Sequence, residues 1–168
     1  MGIWSIFAPD MSCHRVTDIS LGELHDIGIK GLLLDLDNTI TAWHKTEVTE
    51  SMREWLRDLK DNGFAVCIVS NNRERRVKKI AEQLGLPYFF SAAKPRRKGY
   101  RRAAALLNIP LPQLAMVGDQ LFTDVLGGNR AGLFTIFVEY IHPQEHWGTT
   151  HIFRPLERWV LKKLEVGR

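Results

Sequence analysis

Only two cysteines occur in the 168 residues, Cys13 and Cys67, far apart and in no CxxC pair. Cys67 sits in the apolar run FAVCIVS, where a small buried thiol is the ordinary reading. A domain of this length buries roughly 70% of the surface its unfolded chain exposes, so it needs no disulfide staples, and a reducing, cytosolic setting is expected. No stretch approaches the roughly 18 apolar residues of a spanning helix. The start MGIWSIFAPD lacks a basic region followed by a long apolar core, and Ile6 stands where a myristoylation signal needs Ser or Thr. The chain is therefore expected to be cytoplasmic, neither secreted nor threaded through a membrane. Internal repeats, low-complexity tracts and linkers are also missing, which predicts one domain over residues 1–168. Net acidity is absent too: the formal charge is +4 and the pI about 9.2. That balance suits an acidic partner and leaves nucleic acid, an anionic bilayer and a phosphorylated metabolite all open.

What is present is a regular alternation. Three apolar runs, Gly31 to Leu36, Phe64 to Ser70 and Leu114 to Val117, each meet a polar cluster at their C-terminal end and read as buried parallel strands. Shorter runs at Tyr88 to Phe90 and Phe134 to Val138 supply two more. Between them the spacing predicts helices from about Thr49 to Lys60, with Met52, Trp55, Leu56 and Leu59 on one face, and from about Glu74 to Leu84. A third spans about Gly99 to Leu107. Strand, helix, strand, repeated, implies right-handed crossovers and an open parallel α/β sheet with helices on both faces. Ligands of such sheets bind beyond the carboxyl ends of the strands.

Those ends carry DLDNT, SNN and GDQLFTD. Strand side chains alternate, so Asp35 and Asp37 are expected to point the same way, and two neighbouring like charges disfavour each other's ionisation. A hard divalent cation removes that repulsion. Asp119 and Asp124 reach the same rim, with the hydroxyls of Thr39 and Ser70, the amide of Asn71 and the ammonium of Lys94. The set suits magnesium plus a phosphate: carboxylates for the ion, Lys94, Ser70 and turn N–H groups for the phosphoryl oxygens.

DLDNT at 35–39, SN at 70–71, KP at 94–95 and GDQLFTD at 118–124 resemble, in order, the four motifs of the haloacid dehalogenase superfamily. LDLDNTI, IVSNNRERRV, AAKP and VGDQLFTDVLGGNRAG are similar to its YqeG-type group, related to phosphatidylglycerophosphate phosphatases. The resemblance implies a Rossmann-like domain and a Mg²⁺-dependent phosphomonoester hydrolase. It implies Asp35 as nucleophile, forming an aspartyl-phosphate, and Asp37 as the acid and then the base. Magnesium is implied at Asp35, Asp119 and the main-chain carbonyl of Asp37, with Asp124 and Thr39 behind them. Ser70, Asn71 and Lys94 would hold the phosphoryl group.

Blander roles compete for several residues. Asp124 could complement a helix dipole and Thr39 could cap a turn. GGNRAG, from Gly127 to Gly132, lacks GxGxxG spacing and reads as loop or helix-stop chemistry. His142, His146 and His151 cluster near Trp147, but HPQEH is not HExxH, so zinc is not expected. His14, His25 and His44 have no readable role. RERRVKK and KPRRKGYRR start at the phosphate rim. Arg73, Arg75 and Arg76 fall in a helix's first turn, where its dipole disfavours cations, a placement that suits a nearby anion.

In the C-terminal segment Leu156, Val160 and Leu164 form a stripe, with Phe153 and Leu161 near it. Residues 1–20 and 151–168 are read as peripheral segments, either packed on the sheet or, with Trp4, Ile6 and Phe7, resting on an anionic membrane. The short spacing between motifs leaves no room for a substantial cap domain. An open site cannot surround a small metabolite, since pockets bury most of a small ligand's surface; added to the basic rim and to what the resemblance to the YqeG-type group implies, this favours a lipid phosphate monoester, specifically phosphatidylglycerophosphate. The alternatives are another phosphorylated metabolite or macromolecule, and an RNA- or ribosome-associated binding protein on the same scaffold. Oligomeric state is not legible.

Overall fold

The computed structural model describes residues 4–43, 45–139 and 154–166. Six strands, β1 (Met11–Cys13), β2 (Gly31–Leu34), β3 (Ala65–Val69), β4 (Tyr88–Phe89), β5 (Leu114–Gly118) and β6 (Phe134–Val138), form one parallel sheet in the order β1-β6-β5-β2-β3-β4. The helices are α1 (Leu21–Asp26), α2 (Glu50–Asp61), α3 (Glu74–Leu84), α4 (Arg97–Leu107), α5 (Leu126–Ala131) and α6 (Arg154–Val166). This is the α/β architecture the apolar runs imply.

Alternate residues of the central strands feed two hydrophobic layers. Leu32, Leu34, Val66, Ile68, Ala115 and Val117 pack on one face with Met52, Trp55, Leu59, Val77 and Ile80 from α2 and α3. Leu33, Val69, Leu114 and Met116 pack on the other with Tyr100 and Ala103 of α4. Cys67 lies in this second layer, and burial pushes its thiol up to about 12. Each fully buried Leu or Ile contributes about 1.5–3 kcal/mol, so the central strands anchor the molecule.

Local chemistry sets the helix ends. The Thr49 hydroxyl accepts from Met52 N at 3.3 Å and starts α2. Gly85, at φ 60°, ends α3, and Asn108, at φ 54°, ends α4. Three elements lack a readable pattern: the edge strand β1, the single-turn-scale helix α1 capped by Ser20, and α5, which incorporates most of GGNRAG and stops at Gly132. Residues 11–13, inside the N-terminal segment expected to be peripheral, extend the sheet beside β6. His142, His146, Trp147, His151 and Phe153 lie outside the described residues, as do His44 and the side chains of Leu161 and Leu164.

The sheet's order reverses direction between β2 and β5, the switch point where an open α/β sheet offers a crevice. Register brings the motifs together there. Leu34 pairs with Val117 on one side and with Ile68 on the other, so the chain leaves all three strands at the same level. The Asp35 amide still donates to Val117 O at 2.9 Å.

Candidate active site

A cleft of about 560 Å³ opens at this edge, lined by residues that include Asp35, Asp37, Trp43, Ser70, Asn71, Lys94 and Gln120. Lys94 is its electrostatic centre. Its Nζ donates to Asp35 Oδ1 at 2.6 Å and to Asp124 Oδ1 at 2.7 Å, with all three side chains nearly sealed from solvent. Burial works against the ammonium, but the two carboxylates outweigh it and raise the lysine above its ordinary value. Asp124 is itself raised, because burial and the neighbouring Asp35 outweigh the attraction of Lys94.

Asp35, Asp119 and Asp124 are all buried and offer carboxylate oxygens within 4.8 Å of one another. These three carboxylates and the ammonium of Lys94 sum to a formal charge of −2 in a desolvated pocket. Clustered buried carboxylates disfavour one another's ionisation, and hard oxygen donors in this number suit a divalent cation such as magnesium. The residues therefore fit an oxygen-ligated ion. Asp124, expected behind the ion, is within the trio, whereas the Asp37 carboxylate is not.

Asp37 is held differently because β2 ends at Leu34 and the chain turns, with Asn38 at φ 60°. Strand alternation no longer applies, and its carboxylate reaches toward α3. Asp37 Oδ2 accepts from Asn72 Nδ2 at 2.8 Å, and Oδ1 from Arg76 Nε at 2.8 Å. The same guanidinium donates to the carbonyls of Lys45 and Ala42, tying the loop after Asp37 to α3. Burial, with Asp35 adding to it, raises Asp37 above the usual carboxylate range despite Asn72 and Arg76. Asn72 and Arg76 are the site residues that the motifs did not single out. An arginine in a helix's first turn had signalled an anion, and here that anion is the protein's own carboxylate.

Asn71 braces Lys94 from both sides: its Nδ2 donates to Lys94 O at 3.1 Å, and its Oδ1 accepts from Lys94 N at 2.7 Å. The Ser70 hydroxyl accepts from Asn72 N at 3.1 Å at the cleft wall. Thr39 is buried beside a second cavity of about 490 Å³ rather than in this cleft, and its hydroxyl has no hydrogen-bond partner among the described residues. Glycine is required at 118, because a Cβ there would overlap the carboxylate of Asp124. Gly118→Ala is expected to displace Asp124 from Lys94, costing about 1–3 kcal/mol of stability as overpacking does and lowering catalysis, measured by urea denaturation and phosphate release.

Comparison with known proteins agrees with this geometry. Residues 19–132 match the family of haloacid dehalogenase-like hydrolases. The Bacillus subtilis (strain 168) protein named probable phosphatase YqeG is 38% identical over 159 residues, covering 95% of this chain and 92% of that protein. Chloroplastic phosphatidylglycerophosphate phosphatase 1 of Chlamydomonas reinhardtii is 28% identical over 99% of this chain, which spans 65% of that relative. The cobalt-bound deoxy-D-mannose-octulosonate 8-phosphate phosphatase YrbI of Haemophilus influenzae shares the fold, with a TM-score of 0.55 and 17% identity over 80% of this chain and 88% of that one. With its four motifs gathered at the switch point, the chain belongs to the haloacid dehalogenase-like hydrolases, as one of their phosphatases.

Proposed function

We propose that this phosphatase hydrolyses a lipid-linked phosphate monoester, phosphatidylglycerophosphate, to phosphatidylglycerol, using Asp35 as nucleophile. The observation that carries the chemistry is the contrast between the two aspartates of DLDNT: Asp35 lies against Lys94 in the anionic cluster, and Asp37 lies apart with a raised proton affinity. Phosphoryl transfer asks a protein chiefly for positioning and charge neutralisation. Asp35 attacks phosphorus, and a P–O bond forms as the bond to the leaving oxygen breaks. Asp37 supplies the proton that oxygen takes up. Water then attacks the aspartyl-phosphate as Asp37 takes back a proton, and phosphate leaves with Asp35 restored. Lys94 holds Asp35 in place and neutralises charge in the transferring group, with Ser70 and Asn71 shaping its seat. Magnesium, held by Asp35, Asp119 and Asp124, would supply neutralisation of the phosphoryl oxygens.

The open cleft supports a phosphate that projects from something large. The 38% and 28% identical relatives support a phosphatase and, more narrowly, this lipid. No helix among the described residues is long and apolar enough to cross a membrane. Trp4 and Trp159 stack edge-on at 5.3 Å with both rings part-exposed, and Lys163 lies over Trp159, an aromatic and basic pairing suited to an anionic interface.

The test is Mg²⁺-dependent phosphate release from phosphatidylglycerophosphate in mixed micelles against a panel of soluble phosphate esters. Equal or better rates on a soluble ester would redirect the substrate. Arg73 refines the expectation. It lines the cleft, is exposed and forms no ion pair among the described residues, so it is available to the phosphodiester that this lipid carries beside its monoester. Arg73→Gln should raise KM for the lipid by about tenfold, the weight of one charge-assisted contact. Its kcat/KM on p-nitrophenyl phosphate should stay within about twofold; parallel losses on both substrates would contradict this role.

A further inference from the structure

The segment between Asp119 and Asp124 is a wide, π-type turn over Leu121–Val125, in which Gln120 O accepts from Asp124 N at 2.9 Å and from Val125 N at 3.4 Å. Such turns are rare and collect at functional sites. The turn carries two buried carboxylates, and its support comes both from inside it and from elsewhere in the fold. Tyr100 of α4 supplies one strap, donating to Thr123 O at 2.8 Å. Asp124 supplies another by accepting from Gln120 N at 3.2 Å.

The third comes from α6, beyond residues 19–132 that match the family. Glu157 is 3% exposed, and its Oε1 accepts from Leu121 N at 2.8 Å. Val160, one turn on, packs with Leu121 and Val125 and with Phe7, Phe122 and Phe137. Apolar contact alone would dock the helix; the carboxylate of Glu157 adds a directed acceptor. Its value lies in direction. A short hydrogen bond to a carboxylate fixes the amide of Leu121, two residues after Asp119 and three before Asp124.

We propose that Glu157 is a positioning residue of the active site, by which the C-terminal helix sets the turn that presents Asp119 and Asp124 to the ion. The inference rests on the reading of those two aspartates as ion-holding groups. It assigns α6 to the catalytic apparatus rather than to the periphery, and makes ion affinity depend on how that helix is docked.

The test uses the full chain and reads Mn²⁺ binding by electron paramagnetic resonance without substrate, beside the Mg²⁺ dependence of phosphate release. Glu157→Ala, and Glu157→Asp, which keeps the charge but withdraws the acceptor by one carbon, should each weaken Mn²⁺ binding by about tenfold, as loss of outer contacts to a metal site does. The Mg²⁺ concentration for half-maximal activity should rise equally, with turnover at saturating Mg²⁺ little changed. Glu157→Gln retains an acceptor oxygen and should stay within about threefold of the parent. Val160→Ala should lower the melting temperature yet leave ion binding near the parent's. The inference is overturned if Glu157→Asp binds Mn²⁺ like the parent, if Glu157→Gln is as weak as Glu157→Ala, or if Val160→Ala costs as much affinity as Glu157→Ala. A parent protein that binds no ion removes the reading of Asp119 and Asp124 as well, and so is told apart from failure of Glu157 alone.

Discussion

Asp35→Asn is expected to abolish turnover, lowering kcat by roughly 10⁵-fold or more, the scale on which loss of a covalent nucleophile is felt. The amide is close to isosteric and keeps an oxygen toward Lys94, but it cannot form the acyl-phosphate bond. The fold should not suffer. Removing one of three buried carboxylates changes the formal charge of the cluster with Lys94 from −2 to −1, which relieves repulsion rather than creating it. Without Mg²⁺ the variant should melt at or above the parent temperature. The stabilisation that saturating Mg²⁺ gives the parent, about 2.7 kcal/mol at a hundredfold excess over Kd, should shrink, since one ligand carboxylate is gone. Thermal melts with and without Mg²⁺, paired with phosphate release, read both effects. Substantial activity in the variant would remove Asp35 from the nucleophile's position, and an unchanged Mg²⁺ stabilisation would remove it from the ion's.

The central sheet was legible because its strands are buried on both faces and so read as uninterrupted apolar runs between amphipathic helices. Phe134–Val138 and Glu74–Leu84 emerge with their expected bounds. Met11–Cys13 did not, since an edge strand of three residues carries no period long enough to see, and its pairing with β6 is fixed by contacts more than 120 residues distant. The turn at Leu121–Val125 was equally hidden. Its local hydrogen bonds are joined by those of Tyr100 and Glu157, which lie far from it in sequence.

The site divides along the same line. Asp35 and Asp119 directly follow β2 and β5, whose register decides their meeting, whereas Lys94 lies beyond the turn after β4 and is placed by Asn71. Asp37 lies two residues past the end of β2, so its direction is decided by the turn at Asn38 and by Arg76 rather than by alternation. The expectation that both aspartates of DLDNT share one side held only while the strand was assumed to continue to Leu36. Their separation by different partners gives them different chemical environments, which is what the proposed roles of nucleophile and acid require.

Lys94→Met is expected to produce the largest loss of stability of any single substitution in the cleft. The side chain is fully enclosed, and its ammonium is the only cation in contact with Asp35 and Asp124 among the described residues. Met fills nearly the same volume, so packing is kept while charge compensation is lost. Asp35 and Asp124 then lose that partner, and breaking a buried pair from one side costs about 3–5 kcal/mol. Turnover should fall by about 10²–10³-fold, as for loss of one preorganised electrostatic contact to a developing charge. Mg²⁺ should recover part of the stability, because a divalent ion replaces the missing positive charge, but little of the rate, because it cannot also take the place of Nζ against Asp35 and the phosphoryl group. Urea denaturation at several Mg²⁺ concentrations separates the two effects. A variant as stable as the parent in the absence of Mg²⁺ would mean that the carboxylate cluster is not held together by this lysine, and the charge assignment of the whole cleft would have to be redrawn.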